Sequence, residues 1–259
     1  MKYVKSFIRS EKKLSMVTCY DYTFAKLIHQ TDVDCILVGD SLGMVVYGHD
    51  NTLSVSIEMM ALHTRAVRRG CPDKIIISDM PFLSSRKGEQ YAMDVAHQLM
   101  SAGASGIKLE GVTGQEKVIS SLIQAGIPVM GHLGLTPQYY QSLGGFRVQG
   151  RDEKSFEEII HQALLLEDLG VFSIVLECVP KMLAKQIQEK VSIPVIGIGA
   201  GVDVDGQVLV LHDLLGLTLD KFKFVRDFSN LDKSVISGVN SFVQEVNDKK
   251  FPNLDESFQ

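Results

Sequence analysis

The chain has 259 residues, 45% of them hydrophobic and 22% charged, enough for one large core without disulfide staples. A formal net charge of -5, with no long run of Lys and Arg, offers no stripe for phosphate backbones, so no nucleic-acid partner is expected. The four cysteines, Cys19, Cys35, Cys71 and Cys178, form no CxxC pair, which excludes a zinc knuckle or a disulfide framework and suits a reducing cytosol.

Strand-like and helix-like segments alternate almost throughout. LSMVTCY (14–20) leads into DYTFAKLIHQ, where Asp21 suits an N-cap and Phe24, Leu27 and Ile28 mark one face at helical spacing. CILVGD (35–40) is followed by a loop and by SIEMMALHTRAVRRG, with Gly70 as its C-terminal stop. KIIISDM (74–80) precedes EQYAMDVAHQLMSAG, and GIKLEG (106–111) precedes QEKVISSLIQAG. Next come IPVMGHLGL (127–135), the helix SFEEIIHQALLLEDLG, VFSIVLECV (171–179), the helix KMLAKQIQEK, IPVIGIGAG (193–201) and a short helix from Gln207 to Leu215. A weak last strand at KFKFVRD (221–227) completes the eight that a closed barrel requires. The final helix, LDKSVISGVNSFVQEV, places Val235, Val239, Phe242 and Val246 on a common side. The fold expected is α/β, a (βα)8 TIM barrel. Barrels of this kind run to about 250 residues as one domain, so residues 1–259 are read as a single domain with a short N-terminal extension and a C-terminal tail. The start, MKYVKSFIRSEKKLS, lacks the apolar stretch of a signal peptide, and no segment is apolar enough for long enough to cross a bilayer. A soluble, cytoplasmic protein with no membrane partner is expected.

Four of the apolar runs carry an acid at their C-terminal end: Asp40, Asp79, Glu110 and Glu177. Uninterrupted Val, Ile and Leu mark strands buried on both faces, as in all-parallel sheets. An acid is unfavourable inside such a strand, but at its end it faces the barrel mouth, where all such ends gather. Taken singly, Asp40 equally suits a cap, Asp79 a turn before Pro81, and Glu110 a solvated residue before Gly111. Glu177, between Leu176 and Cys178, is harder to dismiss. Recurrence at the same place in four units favours convergence on an active site.

Convergence has an electrostatic consequence. Two carboxylates about 5 Å apart repel by roughly 3 kcal/mol at an effective dielectric of about 20, so a cluster must take up protons or a cation. Oxygen ligands without a His or Cys cluster favour a hard ion, Mg²⁺ first, with Asp40, Asp79 and Glu110 as the metal set and Glu177 left as a base. Lys108 lies two residues before Glu110 and faces the same side, where it needs an anion, either a ligand or one of the acids. His132 suits a satisfied core histidine as well as a ligand-facing one. GIGAG (197–201) lacks the full GxGxxG spacing of a dinucleotide site and instead lets the backbone approach a ligand.

Several segments together carry a family resemblance. VGDSLGMVVYGHDNTL (38–53), HTRAVRRG (63–70), KLEG (108–111), PVMGHLGLTPQ (128–138), GGFRVQGR (144–151), LECVP (176–180) and IPVIGIGAGVDVDGQVLVLHD (193–213) closely resemble the signature segments of the ketopantoate hydroxymethyltransferase family. The resemblance runs from about Val17 to the tail. It implies a barrel of the phosphoenolpyruvate mutase-like group and an aldol-type, metal-dependent one-carbon transferase of pantothenate and coenzyme A synthesis. It also implies a homo-oligomer, in this family often of ten subunits.

By position, the resemblance makes Asp40 and Asp79 metal ligands and Glu110 the third acid near the ion. It makes Ser41, Lys108 and His132, with Asp40 and Asp79, the substrate-binding set, and Glu177 the general base. The implied substrates are 3-methyl-2-oxobutanoate and 5,10-methylenetetrahydrofolate. Folate has no short motif, and the loops at 42–52 and 134–150 are read, apart from the resemblance, as bordering its pocket. Two other readings stay open: a metal-dependent 2-oxo acid lyase or mutase of the same barrel group, and a non-catalytic keto-acid sensor. The first typically brings a reactive cysteine loop not found here, and the second needs no base at Glu177.

Overall fold

The buried apolar runs become the staves of a closed, all-parallel barrel in a computed structural model of the protein, which describes residues 4–7, 9, 11–218 and 222–258. Strands β1 (Leu14–Thr18), β2 (Cys35–Val38), β3 (Ile75–Asp79), β4 (Gly106–Glu110), β5 (Val129–Gly134), β6 (Ser173–Glu177), β7 (Val195–Ile198) and β8 (Gly206–Leu209) follow one another around the ring, and β8 closes on β1. Every residue of β2, β3 and β4 is buried, as strands shielded on both faces require.

Helices fill the connections. These are α1 (Tyr22–His29), α2 (Leu42–Val45) with α3 (Ile57–Gly70), α4 (Glu89–Ser101), α5 (Glu116–Gln124), α6 (Glu153–Leu169) and α7 (Lys181–Lys190). Their starts follow cap chemistry: Asp21 accepts from the Phe24 N–H at 2.9 Å, Ser56 from Met59 at 3.3 Å and Asp152 from Ser155 at 3.0 Å. On α1 the buried side is Ala25 and Ile28, whereas Leu27 is exposed. Gly70 is the last residue of α3, the stop expected of it, and a Cβ there would stand 2.6 Å from the Tyr22 carbonyl oxygen, so it also lets α3 press onto α1.

The eighth strand is not where the sequence reading places it. Gly206–Leu209 forms β8, within the stretch read as a short helix, and only Leu211–Leu214 is helical there (α8). Residues 222–227 of KFKFVRD form turns and irregular chain, and Lys221 lies outside the described residues. Gly206 explains the placement, because a Cβ on it would meet the Leu14 carbonyl oxygen at 2.5 Å, so β8 can lie directly against β1. No helix separates β7 from β8.

The chain divides into two compact units, residues 1–210 and 211–259. Pairing of β8 with β1 closes the ring at Leu209, so the chain beyond has no sheet edge to join. In the second unit α9 (Leu231–Asn247) buries none of its residues, and its apolar side, including Val235, Ile236, Val239, Phe242 and Val246, is 45–60% exposed. Among the described residues, no helix is long and apolar enough to cross a membrane.

Candidate active site

Strand register sets the site. Residues paired across parallel neighbours face the same side of the sheet, and Asp79 pairs with Lys108, Glu110 with His132, and Glu177 with both Gly134 and Ile198. Strands β3 to β6 therefore deliver these groups in sequence around one arc of the C-terminal mouth, and Asp40 joins them two residues beyond β2. The four acids named from sequence do gather at this mouth.

Direct contacts run the length of the arc. The Asp40 N–H donates to Asp79 Oδ2 at 3.1 Å, and Lys108 Nζ lies 3.1 Å from Asp79 Oδ1. His132 Nδ1 is 3.3 Å from Glu110 Oε1, and its Nε2 is 3.2 Å from Glu177 Oε2. Glu177 is thus only one imidazole away from Glu110. Ser41 sits beside Asp40, its Oγ 2.8 Å from the hydroxyl of Tyr20, in a bond that either hydroxyl can donate.

Burial and charge shape protonation. Burial first, then Asp79 and Glu110, push the Asp40 carboxyl well above the usual carboxylate range. Asp79 is raised by burial, against the opposing pull of Lys108. Burial opposes the Lys108 charge, but Asp79, Glu110 and Asp40 outweigh it and raise its pKa. For His132, burial and the Lys108 charge act downward, yet the bonds to Glu110 and Glu177 leave a net upward shift. Lys108 Nζ also lies 3.3 Å from His132 Nδ1. One Nδ1 cannot both accept from Lys108 and donate to Glu110; the flanking carboxylates favour the protonated ring, which leaves Lys108 to Asp79.

The sign of the Asp40 shift gives an expected outcome. A raised folded-state pKa means that the fold binds this proton more tightly than the unfolded chain does. The resulting stability is present at low pH and is lost as pH rises from the ordinary carboxylate range through the raised value. Asp40→Asn should therefore raise the cation-free Tm at mildly alkaline pH, by about 4–8 °C for about 2 kcal/mol of relieved repulsion. Calorimetry in the presence of a chelator checks this, and a lowered Tm would count against charge crowding.

Among the described residues, no three His, Cys, Asp or Glu side chains stand so as to hold an ion between them. The reason lies in Glu110, whose Oε1 faces His132 and whose Oε2 accepts the Gln138 N–H at 3.0 Å. Asp40 and Asp79 are left as the open pair, and Asp79 Oδ1 is buried without a hydrogen bond despite its contact with Lys108. A buried oxygen with an unused direction, beside a second crowded carboxylate, fits a hard cation that takes one or two protein carboxylates and completes its shell with substrate and water.

Sequence reasoning missed three supporting residues. Gln138, in the 3-10 turn after β5, donates from Nε2 to Asp40 Oδ2 at 2.8 Å and to the Met80 carbonyl oxygen at 2.9 Å. Gln115 Nε2 donates to the Glu110 carbonyl oxygen at 2.7 Å and so fixes the exit of β4. Tyr20, just past β1, looks like core from its sequence neighbours. The signal for Gln138 was its place four residues past the end of β5, behind Pro137 and at the close of the segment PVMGHLGLTPQ. The loops at 42–52 and 134–150 meet, with Asn51 Nδ2 3.2 Å from the Tyr140 hydroxyl and Tyr140 stacked on Phe146 at 5.6 Å.

The architecture and the sequence have relatives. A phosphonopyruvate hydrolase structure superposes with a TM-score of 0.67 at 14% identity, covering 100% of this chain and 92% of that one. A 2,3-dimethylmalate lyase of the PEP mutase/isocitrate lyase superfamily gives a TM-score of 0.62 at 13% identity, covering 99% and 89%. At such identities these likenesses show the fold alone. The 3-methyl-2-oxobutanoate hydroxymethyltransferase of Bdellovibrio bacteriovorus is 53% identical over 249 residues, 96% of this chain and 95% of the relative. The protein of the same name from Legionella pneumophila is 46% identical, over 96% of both chains. A family model described as ketopantoate hydroxymethyltransferase matches residues 1–254. With agreement along nearly the whole length of chain and relatives alike, the chain belongs to the ketopantoate hydroxymethyltransferase family.

Proposed function

We propose that the protein transfers a hydroxymethyl group from 5,10-methylenetetrahydrofolate to 3-methyl-2-oxobutanoate, with uptake of one water, giving 2-dehydropantoate and tetrahydrofolate for pantothenate and coenzyme A synthesis. The observation that carries this reading is the placement of Glu177. Its side chain is 17% exposed at the mouth, against 3–6% for Asp79, Lys108, Glu110 and His132, so among these it is the group a substrate C–H can reach.

In this reading the keto acid lies over the arc with its oxygens toward Asp40, Asp79, Lys108 and the Ser41 hydroxyl. Glu177 takes the C3 proton. His132 Nε2 faces one Glu177 oxygen at 3.2 Å and leaves the other for the substrate, while Glu110 faces the ring's opposite nitrogen at 3.3 Å. Water opens the methylene bridge of the folate: both carbon–nitrogen bonds break, the two nitrogens take up the protons, and the one-carbon unit leaves at the oxidation level of formaldehyde. Carbon C3 bonds to that unit, whose oxygen takes the proton held by Glu177 and becomes the hydroxyl of the product. A divalent cation, Mg²⁺ by the all-oxygen donor set, would be held by Asp40 and Asp79 with Glu110 behind them. When bound, it supplies Lewis-acid stabilisation of the charge that develops on the keto oxygen. A cytoplasmic homo-oligomer belongs to the same reading, and the exposed apolar side of α9 supports assembly.

The test is turnover of the purified protein with both substrates, followed by mass detection of 2-dehydropantoate. Product formation that requires folate and is abolished by a chelator is expected. Cleavage of the 2-oxo acid without folate would favour a lyase, binding without turnover a sensor.

A further inference from the structure

We infer that Gln138 is a positioning residue for the cation-binding acids: one amide group orients Asp40 toward the cation while the same residue's backbone holds Glu110 away. This rests on the proposed function, since it concerns the cation of that site.

The geometry is specific. Gln138 Nε2 lies 2.8 Å from Asp40 Oδ2 and 2.9 Å from the Met80 carbonyl oxygen, so both donors of the amide are spent at the exits of β2 and β3. The backbone N–H of the same residue reaches Glu110 Oε2 at 3.0 Å, at the end of β4. Gln138 is itself buried, at 9% exposure. A single loop residue therefore bridges three consecutive strand ends, and it is the group that separates the two like charges of Asp40 and Glu110. A carboxylate held at one oxygen by a fixed donor has lost a rotational freedom it would otherwise give up on binding a cation, which is how preorganisation raises affinity.

The two kinds of contact can be separated. Every substitution except proline keeps the backbone N–H on Glu110, so Gln138→Leu removes only the contacts to Asp40 and Met80. We expect Gln138→Leu to weaken Mn²⁺ binding, read from the free-ion signal in electron paramagnetic resonance, by about tenfold, the equivalent of about 1.4 kcal/mol. The KM for the cation should rise more than kcat falls. Gln138→Glu keeps the length but turns a donor into a fourth carboxylate; it should weaken 2-oxo acid binding more than Mn²⁺ binding, because the acid's own carboxylate is repelled. Melting temperatures of both variants report folding separately. Unchanged Mn²⁺ affinity in Gln138→Leu, whatever its Tm, would overturn the inference and leave the proposed function standing. No Mn²⁺ binding by the wild-type protein would overturn both.

Discussion

Glu177→Gln is expected to lower kcat by about 10²–10⁴-fold, the usual contribution of a positioned general base. The amide keeps the size of the carboxylate and can still accept from His132 Nε2, which lies 3.2 Å from Oε2. The arc proposed to bind the keto acid is therefore left intact, and the loss should fall on kcat, with little change in the KM for the 2-oxo acid. A second readout isolates the proton step. In deuterated water, without folate, the wild-type protein should exchange the C3 hydrogen of 3-methyl-2-oxobutanoate, as followed by proton NMR. The variant should bind the acid and leave that hydrogen in place; undiminished exchange would remove Glu177 from the role of base.

The second large effect is on stability. Lys108→Met should cost about 3–5 kcal/mol, or about 6–20 °C in Tm, because it strands a buried carboxylate that has lost its counter-charge. Asp79 is buried, its Oδ1 lies 3.1 Å from Lys108 Nζ, and burial already raises its pKa. Asp40 and Glu110 also draw on the same ammonium. Methionine fills the space of the stem without supplying the charge. Adding Asp79→Asn to Lys108→Met should recover part of the loss, so that the double variant loses less than the two single variants summed. Strict additivity would show that the pair is not coupled. Because the fold pays for this lysine with burial of its charge, the same variant should lose keto-acid binding at temperatures where it remains folded.

Legibility in the sequence followed the physics of burial. A run such as CILV or IIIS has no solvated face, so an acid at its end is conspicuous, and the acids at the ends of β2, β3, β4 and β6 could be named before any geometry. Lys108 was legible for the same reason, as a charge inside the buried strand β4. Gln138 was not, because a neutral amide in a loop has no periodicity and its importance comes from three strand ends that meet only in space. The eighth strand was misplaced because GQVL is four residues long and holds an exposed Gln207, which reads as polar helix, while the alternating KFKF reads as strand. Gly70 marked the end of α3 correctly, but its close approach to α1 was not legible, because only the packing in space shows it.

The pairing of Glu177 with Gly134 on one side and Ile198 on the other places a boundary at Glu177. From β3 to β6 the inward groups are ionisable; past Glu177 they turn to hydrocarbon, Ile198 on β7 and then Val208 on β8, both buried. An isopropyl group resting on these two side chains would gain about 0.8 kcal/mol per buried CH₂. A 2-oxo acid bearing a second charge at its far end would have to strip that charge of water against Ile198, so weaker competition by dicarboxylic 2-oxo acids than by the isopropyl acid is the expected outcome of a binding assay.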